Sequence, residues 1–205
     1  MPVLNPGVRK SLNVLLALLV VALMVENIIL LRENKSLKNG LPLPSALTVH
    51  RDEPLHDIGG VGFDGRFHTV DMPRAAAEHL LIFTFAPQCP ECANSKSFDA
   101  ELSAQAKKLG WRTLWISRSG NFETTRAFCD ANDISLEEVL LNVPYPTYLR
   151  LALAAVPQVV AVGENGKVEE VWLGRLTAES TKAAAKFLSD HPGVQARNSA
   201  VTSSP

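Results

Sequence analysis

Cysteine is scarce in this chain, with only Cys89, Cys92 and Cys129 among 205 residues. So few cysteines exclude a small scaffold held together by several disulfides, and an odd number cannot pair completely. The chain also lacks an excess of charge of either sign, since its formal net charge is −1. Such a chain offers no strongly basic surface to a phosphate backbone, so nucleic acid is not expected as a partner.

Metal ligands are few as well. There is no second cysteine pair, and a structural zinc site needs four ligands. The five histidines show no ligand-like spacing; they are His50, His56, His68, His79 and His191. We therefore expect no metal site and no cofactor.

A long apolar run is present near the N-terminus. Val14–Val25 is uninterrupted, and Ile28–Leu31 continues it after Glu26 and Asn27. Together they form about 20 residues, enough to cross ~30 Å of hydrocarbon. The first run alone would suit a cleaved signal peptide, but bulky and charged residues follow where a small-residue cleavage site belongs. We therefore predict a retained transmembrane signal anchor at residues 12–31, with a cleaved signal or a buried soluble helix as alternatives.

The segments around the anchor suggest how the chain is organised. Positive charges flank the anchor almost equally on both sides, so they do not decide its orientation. Because the segment before the anchor is so short, the N-terminus, residues 1–11, is taken as cytoplasmic. Glycine and prolines in "NGLPLPSA" predict a stalk and linker at residues 32–54. Residues 55–191 are predicted to fold as one domain. Residues 192–205 end in small polar side chains and are predicted to be a disordered tail.

Within this domain, strand-like and helix-like segments alternate. Dense apolar runs predict buried strands at 79–86, 111–117 and 156–162, with a further strand at 167–174. Asp64-Gly65 and Asn165-Gly166 predict tight hairpin turns. Periodic apolar residues predict helices at 93–110, 121–133 and 178–190, and Thr177 can cap the last one. Alternation predicts parallel strands with crossover helices, closed by an antiparallel hairpin, in a three-layer α/β sandwich with a mixed central sheet.

Two cysteines follow the first buried strand, in "TFAPQCPECANSK". Cys89 is predicted at a helix start, where free N–H groups and the helix dipole favour a thiolate, and Pro90 suits the first helical turn. Cys92 falls one turn further in and should be shielded. This predicts that Cys89 attacks a partner disulfide and that Cys92 resolves the mixed disulfide. Glu91 would oppose ionisation of Cys89 if its carboxylate faced the sulfur.

The cysteines also allow other interpretations. A purely structural disulfide between Cys89 and Cys92 would close too short a loop to stabilise much chain. Cys129 lies beside Phe128, which predicts a small buried apolar residue, with a regulatory or intermolecular thiol as the alternative.

The strand "LLIFTFAP", the C-x-x-C that opens a helix and the distant "VPQVVAVGENGKVEEVWLG" together resemble the thioredoxin superfamily. In that family a cis-proline precedes the third core strand and faces the cysteines, a position that Pro157 matches. The alternative is a proline that merely starts a strand. The resemblance implies that the backbone at Val156 pairs with an incoming peptide. It also implies that Gln88, Pro90 and Glu91 contact that peptide.

With the predicted anchor, the chain is similar to membrane-tethered thioredoxin-like proteins of bacterial envelopes. These include reductases of cytochrome c maturation and accessory proteins of methylamine dehydrogenase. The resemblance implies a single-pass thiol–disulfide oxidoreductase of the bacterial inner membrane, with its domain facing the periplasm or cell exterior. It would reduce or isomerise disulfides of exported client proteins, with an integral membrane thiol relay as electron donor by analogy.

Three positions depart from relatives. Gln88 replaces a tryptophan that many relatives carry, and Phe83 stands where thioredoxin has a buried acid. Another group or water must therefore manage the proton of Cys92, and a non-catalytic assembly scaffold stays open as an alternative. A peroxiredoxin-like peroxidase is disfavoured because Ala86 stands where that family needs threonine.

Overall fold

The computed structural model describes residues 19–21, 23–27 and 49–193. The chain divides into two compact units, residues 1–43 and 44–205. In the first unit, residues 19–21 and 23–27 are helical. Among the residues described, no helix has the length and apolarity needed to span a bilayer. Most of the predicted anchor, most of the stalk and nearly all of the C-terminal tail lie outside the described residues, and all three stay predictions.

The described part of the second unit contains seven strands and four α-helices. The strands are β1 Ile58–Val61, β2 Phe67–Val70, β3 Leu80–Phe85, β4 Arg112–Ser117, β5 Val139–Leu140, β6 Gln158–Val162 and β7 Val168–Leu173. The helices are α1 Pro90–Lys108, α2 Phe122–Asp130, α3 Tyr145–Arg150 and α4 Ala178–Asp190. Short 3₁₀ turns at Leu136–Glu138 and Glu164–Gly166 complete the pattern.

The central sheet is mixed, with strand order β5-β4-β3-β6-β7. β3 pairs parallel with β4, and β4 pairs parallel with β5. β6 runs antiparallel to β3, and β7 antiparallel to β6. β3 is buried at every position because it lies in the middle of the sheet and both faces are covered.

Apolar side chains fill both sides of this sheet. On one side, Phe83 and Trp115 pack with Leu102 of α1, Cys129 of α2 and Leu188 of α4. The rings of Phe83 and Trp115 stack with centroids 4.2 Å apart. On the other side, residues of β1, β4 and β6 pack with those that follow α3, including Ile58, Leu114, Val160, Leu151 and Leu153. The result is a three-layer α/β fold with the sheet in the middle.

The predicted turns and the predicted helix cap, which depend on only a few adjacent residues, are confirmed. Gly65 adopts a φ of 76° in the loop between β1 and β2, and Asn165 and Gly166 adopt φ of 60° and 68° before β7. Positive φ at two successive residues is what a tight hairpin turn needs, and Asn-Gly supplies it with little strain. Thr177 caps α4, since its Oγ1 accepts a hydrogen bond from the N–H of Ser180 at 3.3 Å.

The sequence prediction was wrong in two respects. It omitted β5 and α3, so the element order has an extra strand and helix before β6. The predicted linker also extended to residue 54, but Val49 is buried in the core and the N–H of Asp52 donates to the Val168 carbonyl at 2.8 Å. The parallel strands predicted for the first half are confirmed by β3 and β4, and the closing hairpin of β6 and β7 is antiparallel.

Candidate functional site

The site is built where β3 ends and α1 begins. Cys89 is the N-cap of α1, with extended backbone, and Pro90 occupies the first helical turn. The Sγ of Cys89 accepts a hydrogen bond from the N–H of Cys92 at 3.1 Å. Cys89 is partly exposed, and the N–H of a residue in the first helical turn points at its sulfur. The predicted helix start is confirmed.

Cys92 is the shielded member of the pair. It is 1% exposed, as the sequence predicted. Burial, followed by the hydrogen bond with Cys89, raises the pKa of the Cys92 thiol to about 12. At neutral pH this thiol therefore keeps its proton. The two cysteines also differ in exposure, since Cys89 is partly exposed and Cys92 is buried. Such asymmetry suits one attacking and one resolving thiol.

Residues far along the chain complete the site. The peptide bond between Val156 and Pro157 is cis, as predicted. The Sγ of Cys89 lies 3.8 Å from the carbonyl oxygen of Val156. The carbonyl of Pro157 accepts a hydrogen bond from the N–H of Gly174 at 2.8 Å, which ties this segment to the end of β7. The fold therefore brings the loop before β6 against the first cysteine.

The other predicted site residues form an exposed rim. Gln88, Pro90 and Glu91 are all exposed beside Cys89. The carboxylate of Glu91 lies 3.7 Å from the Nε of Arg175, in the loop between β7 and α4. Arg175 therefore offsets the negative charge that the sequence placed between the cysteines. Sequence reasoning missed Arg175 because 84 positions separate it from Glu91.

Asp99 is a second residue that the sequence analysis missed. It lies on α1 but is buried, and Ser95 donates a hydrogen bond from its Oγ to Asp99 Oδ1 at 2.9 Å. Burial raises the pKa of the Asp99 carboxyl to about 7, although the bond from Ser95 acts in the opposite direction. A signal was present in the sequence, since Asp99 is in register with the apolar positions Leu102 and Ala106 at helical spacing.

Cys129 and Phe83 behave as packing residues. Cys129 is fully buried in α2, and burial raises the pKa of its thiol to about 11. This agrees with the predicted small apolar role. Phe83 is buried against Trp115, so the position that carries an acid in thioredoxin is filled here by an aromatic contact. Neither residue supplies a group for proton transfer at the cysteine pair.

Solved structures match this architecture, and the domain has the thioredoxin fold. No protein-family profile and no curated protein sequence matches the chain. A candidate protein disulfide isomerase from Bacteroides thetaiotaomicron is 16% identical, with a TM-score of 0.59, 70% of this chain covered and 91% of the other. The thioredoxin domain of a thiol-disulfide oxidoreductase from Bacteroides vulgatus is 13% identical, with a TM-score of 0.53 and coverages of 69% and 99%.

A peroxiredoxin-like protein from Aquifex aeolicus also has this fold. It is 16% identical, with a TM-score of 0.52, 69% of this chain covered and 88% of the other. Structures described as a disulfide isomerase, a thiol-disulfide oxidoreductase and a peroxiredoxin-like protein therefore share this architecture at low sequence identity. The fold alone does not select an activity, so the chemistry must be argued from the cysteine site.

Proposed function

We propose that this protein is a thiol–disulfide oxidoreductase in which Cys89 attacks and Cys92 resolves. One observation carries the proposal. Cys89 is partly exposed at the N-terminus of a long helix and accepts the N–H of Cys92, while the Cys92 thiol is buried one turn behind it. A peroxidase of the peroxiredoxin type is less well supported, because Ala86 occupies the place of the threonine which that chemistry needs.

The reaction runs in two exchanges. The Cys89 thiolate attacks one sulfur of a client disulfide, and the other client sulfur leaves as a thiolate. Cys92 then loses its proton and attacks Cys89 Sγ, which breaks the bond between Cys89 and the client. The client is released with both sulfurs reduced, and the protein keeps a Cys89–Cys92 disulfide. Two electrons pass to the client, and its thiolates take up protons from solvent.

The client is proposed to lie across the rim residues and the loop before β6. An extended peptide can pair with the backbone at Val156, which lies beside the attacking sulfur. Pro157 shapes the floor of this groove, and Gln88, Pro90 and Glu91 face the solvent where a client would approach. Phe83 stands where thioredoxin has a buried acid, and the absence of that acid disfavours fast, general disulfide reduction and favours a narrower client range.

We further propose that the protein is anchored in a bacterial inner membrane and acts on exported proteins. The apolar run Val14–Val25, its continuation to Leu31 and the lack of a small-residue cleavage site support this setting. Clients would be envelope redox proteins under maturation, with the protein acting as reductant or isomerase. As a reductant it would need electrons from an integral membrane thiol relay.

Trapping of a mixed disulfide tests the proposal. A Cys92→Ser variant keeps the attacking thiol and loses the resolving one, so it should accumulate disulfide-linked adducts at Cys89. The native envelope of the source organism is treated with N-ethylmaleimide and resolved on non-reducing gels. A Cys89→Ser variant is the matched control and should give no such adduct. Equal adducts from both variants, or none from Cys92→Ser, would refute the proposed exchange.

A further inference from the structure

Arg118 lies at the edge of the sheet where the cysteine site is built. It directly follows β4, and its backbone N–H donates to the carbonyl of Phe85, the last residue of β3, at 2.8 Å. The chain turns after Phe85, since the N–H of Cys89 donates to the Ala86 carbonyl at 3.0 Å. The backbone of Arg118 therefore lies beside the turn that carries the attacking sulfur.

The side chain of Arg118 reaches the loop before β6. Its Nη1 donates to the carbonyl oxygen of Ala154 at 3.4 Å. Ala154 lies two residues before Val156, whose carbonyl oxygen is 3.8 Å from the Sγ of Cys89. At ~3.3–3.6 Å per residue, two residues span at most about 7 Å. The guanidinium is thus held on the same loop as the backbone to which a client is proposed to pair.

Packing fixes this loop in place. Leu153 and Ala155, on either side of Ala154, are buried, whereas Ala154 itself is exposed. The N–H of Ala155 donates to the Ala152 carbonyl at 2.8 Å, which closes a turn. The buried neighbours hold the Ala154 carbonyl at the surface, and the guanidinium that binds this carbonyl is positioned with it.

The charge of Arg118 has no paired carboxylate within the described part of the chain. None of the ion pairs among these residues includes Arg118, and Glu123, the nearest acidic residue along the chain, is not bonded to it. On the other side of Cys89, by contrast, the Nε of Arg175 lies 3.7 Å from the Glu91 carboxylate. The unpaired positive charge at the site is therefore on the side of Val156.

A guanidinium in this position suits a carboxylate. It has five N–H donors in one plane, and the bond to Ala154 uses one of them. A carboxylate can accept two parallel N–H bonds from the others, an arrangement stronger than any that a neutral amide makes. In an extended client, the side chains two residues from the cysteine project from the same face as the cysteine, about 7 Å away. This distance matches the span from Val156 to Ala154.

We propose that Arg118 is a specificity-determining residue, which selects clients that carry Asp or Glu two residues from the cysteine under attack. The client carboxylate accepts N–H bonds from the guanidinium while Cys89 attacks the client sulfur, and the other client sulfur leaves as a thiolate. Arg118 touches the client but not the reacting sulfurs, so it changes which disulfide is bound and leaves the exchange itself unchanged. This inference rests on the proposed function and names its class of client.

Blocked peptides with one activated cysteine test this preference. Each has acetyl and amide ends and carries glutamate, glutamine or lysine both two residues before and two residues after the cysteine. The cysteine is held in a disulfide with 2-thiopyridine. The Cys89 thiolate of the full-length reduced chain attacks the peptide sulfur, the Cys89–peptide disulfide forms, and the leaving sulfur takes the electron pair and a proton as pyridine-2-thione. Absorbance follows this product, and each rate constant is divided by that of dithiothreitol with the same peptide.

The wild-type chain should react roughly twofold to fivefold faster with the glutamate peptide than with the glutamine peptide, which is the range of an exposed ion pair. The lysine peptide should be slowest. Raising NaCl from about 0.02 to about 0.5 M should reduce the preference, because salt screens exposed charges. Arg118→Gln should abolish the preference for glutamate over glutamine. Arg118→Glu should reverse the order, so that the lysine peptide reacts fastest.

Arg112 supplies a matched control on the same strand. It begins β4 and is exposed, about 20 Å from Arg118 at ~3.3 Å per residue. Its Nη2 also donates to a backbone carbonyl, that of Asp71, at 2.7 Å. Arg112→Gln therefore removes the same charge at a distance from the cysteine site, and the preference for glutamate should stay at the wild-type value.

The outcomes separate this inference from the proposed function. Equal normalised rates for the three peptides with the wild-type chain would overturn the role of Arg118, while Cys89–peptide adducts resolved by Cys92 would still support the proposed function. Retention of the preference in Arg118→Gln, or equal loss in Arg112→Gln, would overturn that role as well. If the Arg118 variants do not fold, a wild-type preference that salt leaves unchanged would do the same. Absence of any Cys89–peptide adduct in the wild-type chain would overturn the proposed function, and the inference with it.

Discussion

The buried carboxyl of Asp99 makes a sharp prediction about stability. Burial raises the pKa of Asp99 from 3.8 to about 7 in the folded chain. The unfolded chain therefore loses this proton near pH 4, while the folded chain keeps it until near pH 7. The contribution of Asp99 to the free energy of unfolding is fully present below about pH 4. It is lost as the pH rises from there through about 7. At about 1.36 kcal/mol per pKa unit, the loss amounts to about 4 kcal/mol.

Replacing Asp99 with asparagine should remove this dependence on pH. The side-chain amide that replaces the carboxyl buries a new N–H₂ group, which adds an offset of about 1–3 kcal/mol that does not vary with pH. The free energy of unfolding is measured in urea at pH 4, 6 and 8 with the thiols kept reduced. Relative to wild type, Asp99→Asn should gain about 4 kcal/mol between pH 4 and pH 8. Parallel curves for the two chains would refute the reasoning, and Glu101→Gln serves as the control.

Three other predictions concern the thiols and the core. Iodoacetamide at pH 7 should modify Cys89 first, because the pKa of the Cys92 thiol is raised to about 12, and equal labelling of both would contradict this. Arg175→Ala should slow that labelling about twofold to fivefold by releasing the Glu91 carboxylate, and adding Glu91→Gln should restore the rate. Phe83→Ala should lower the free energy of unfolding by about 3–5 kcal/mol in urea, since its ring is buried and stacked.

Features governed by neighbouring residues were predictable from the sequence. The Asn165-Gly166 turn and the Thr177 cap depend on the backbone preferences and side-chain reach of residues only a few positions apart. The cysteine pair at a helix start follows in the same way from a buried strand, a proline and a helical pattern. The resemblance to a known family added Pro157, which lies 68 positions from Cys89.

Features that depend on packing were not predictable. β5 has two residues, too few to show a strand pattern, and it exists because Val139 and Leu140 pair with β4. α3 begins among prolines and has no apolar periodicity. The burial of Asp99 depends on the loop before α4 and on the residues after α2 that close over the helix. A sequence pattern shows which face of α1 carries Asp99, but not what covers that face.

The most direct test of the proposed chemistry is a redox titration of the cysteine pair. The chain is equilibrated in buffers with varying ratios of reduced to oxidised glutathione, and the fraction with a Cys89–Cys92 disulfide is measured by thiol labelling and mass spectrometry. We predict a single reversible two-electron transition between these two sulfurs, with Cys129 reduced throughout. A chain in which Cys89 and Cys92 never form this disulfide, at any ratio, would contradict the proposed exchange and leave the thioredoxin fold here as a scaffold.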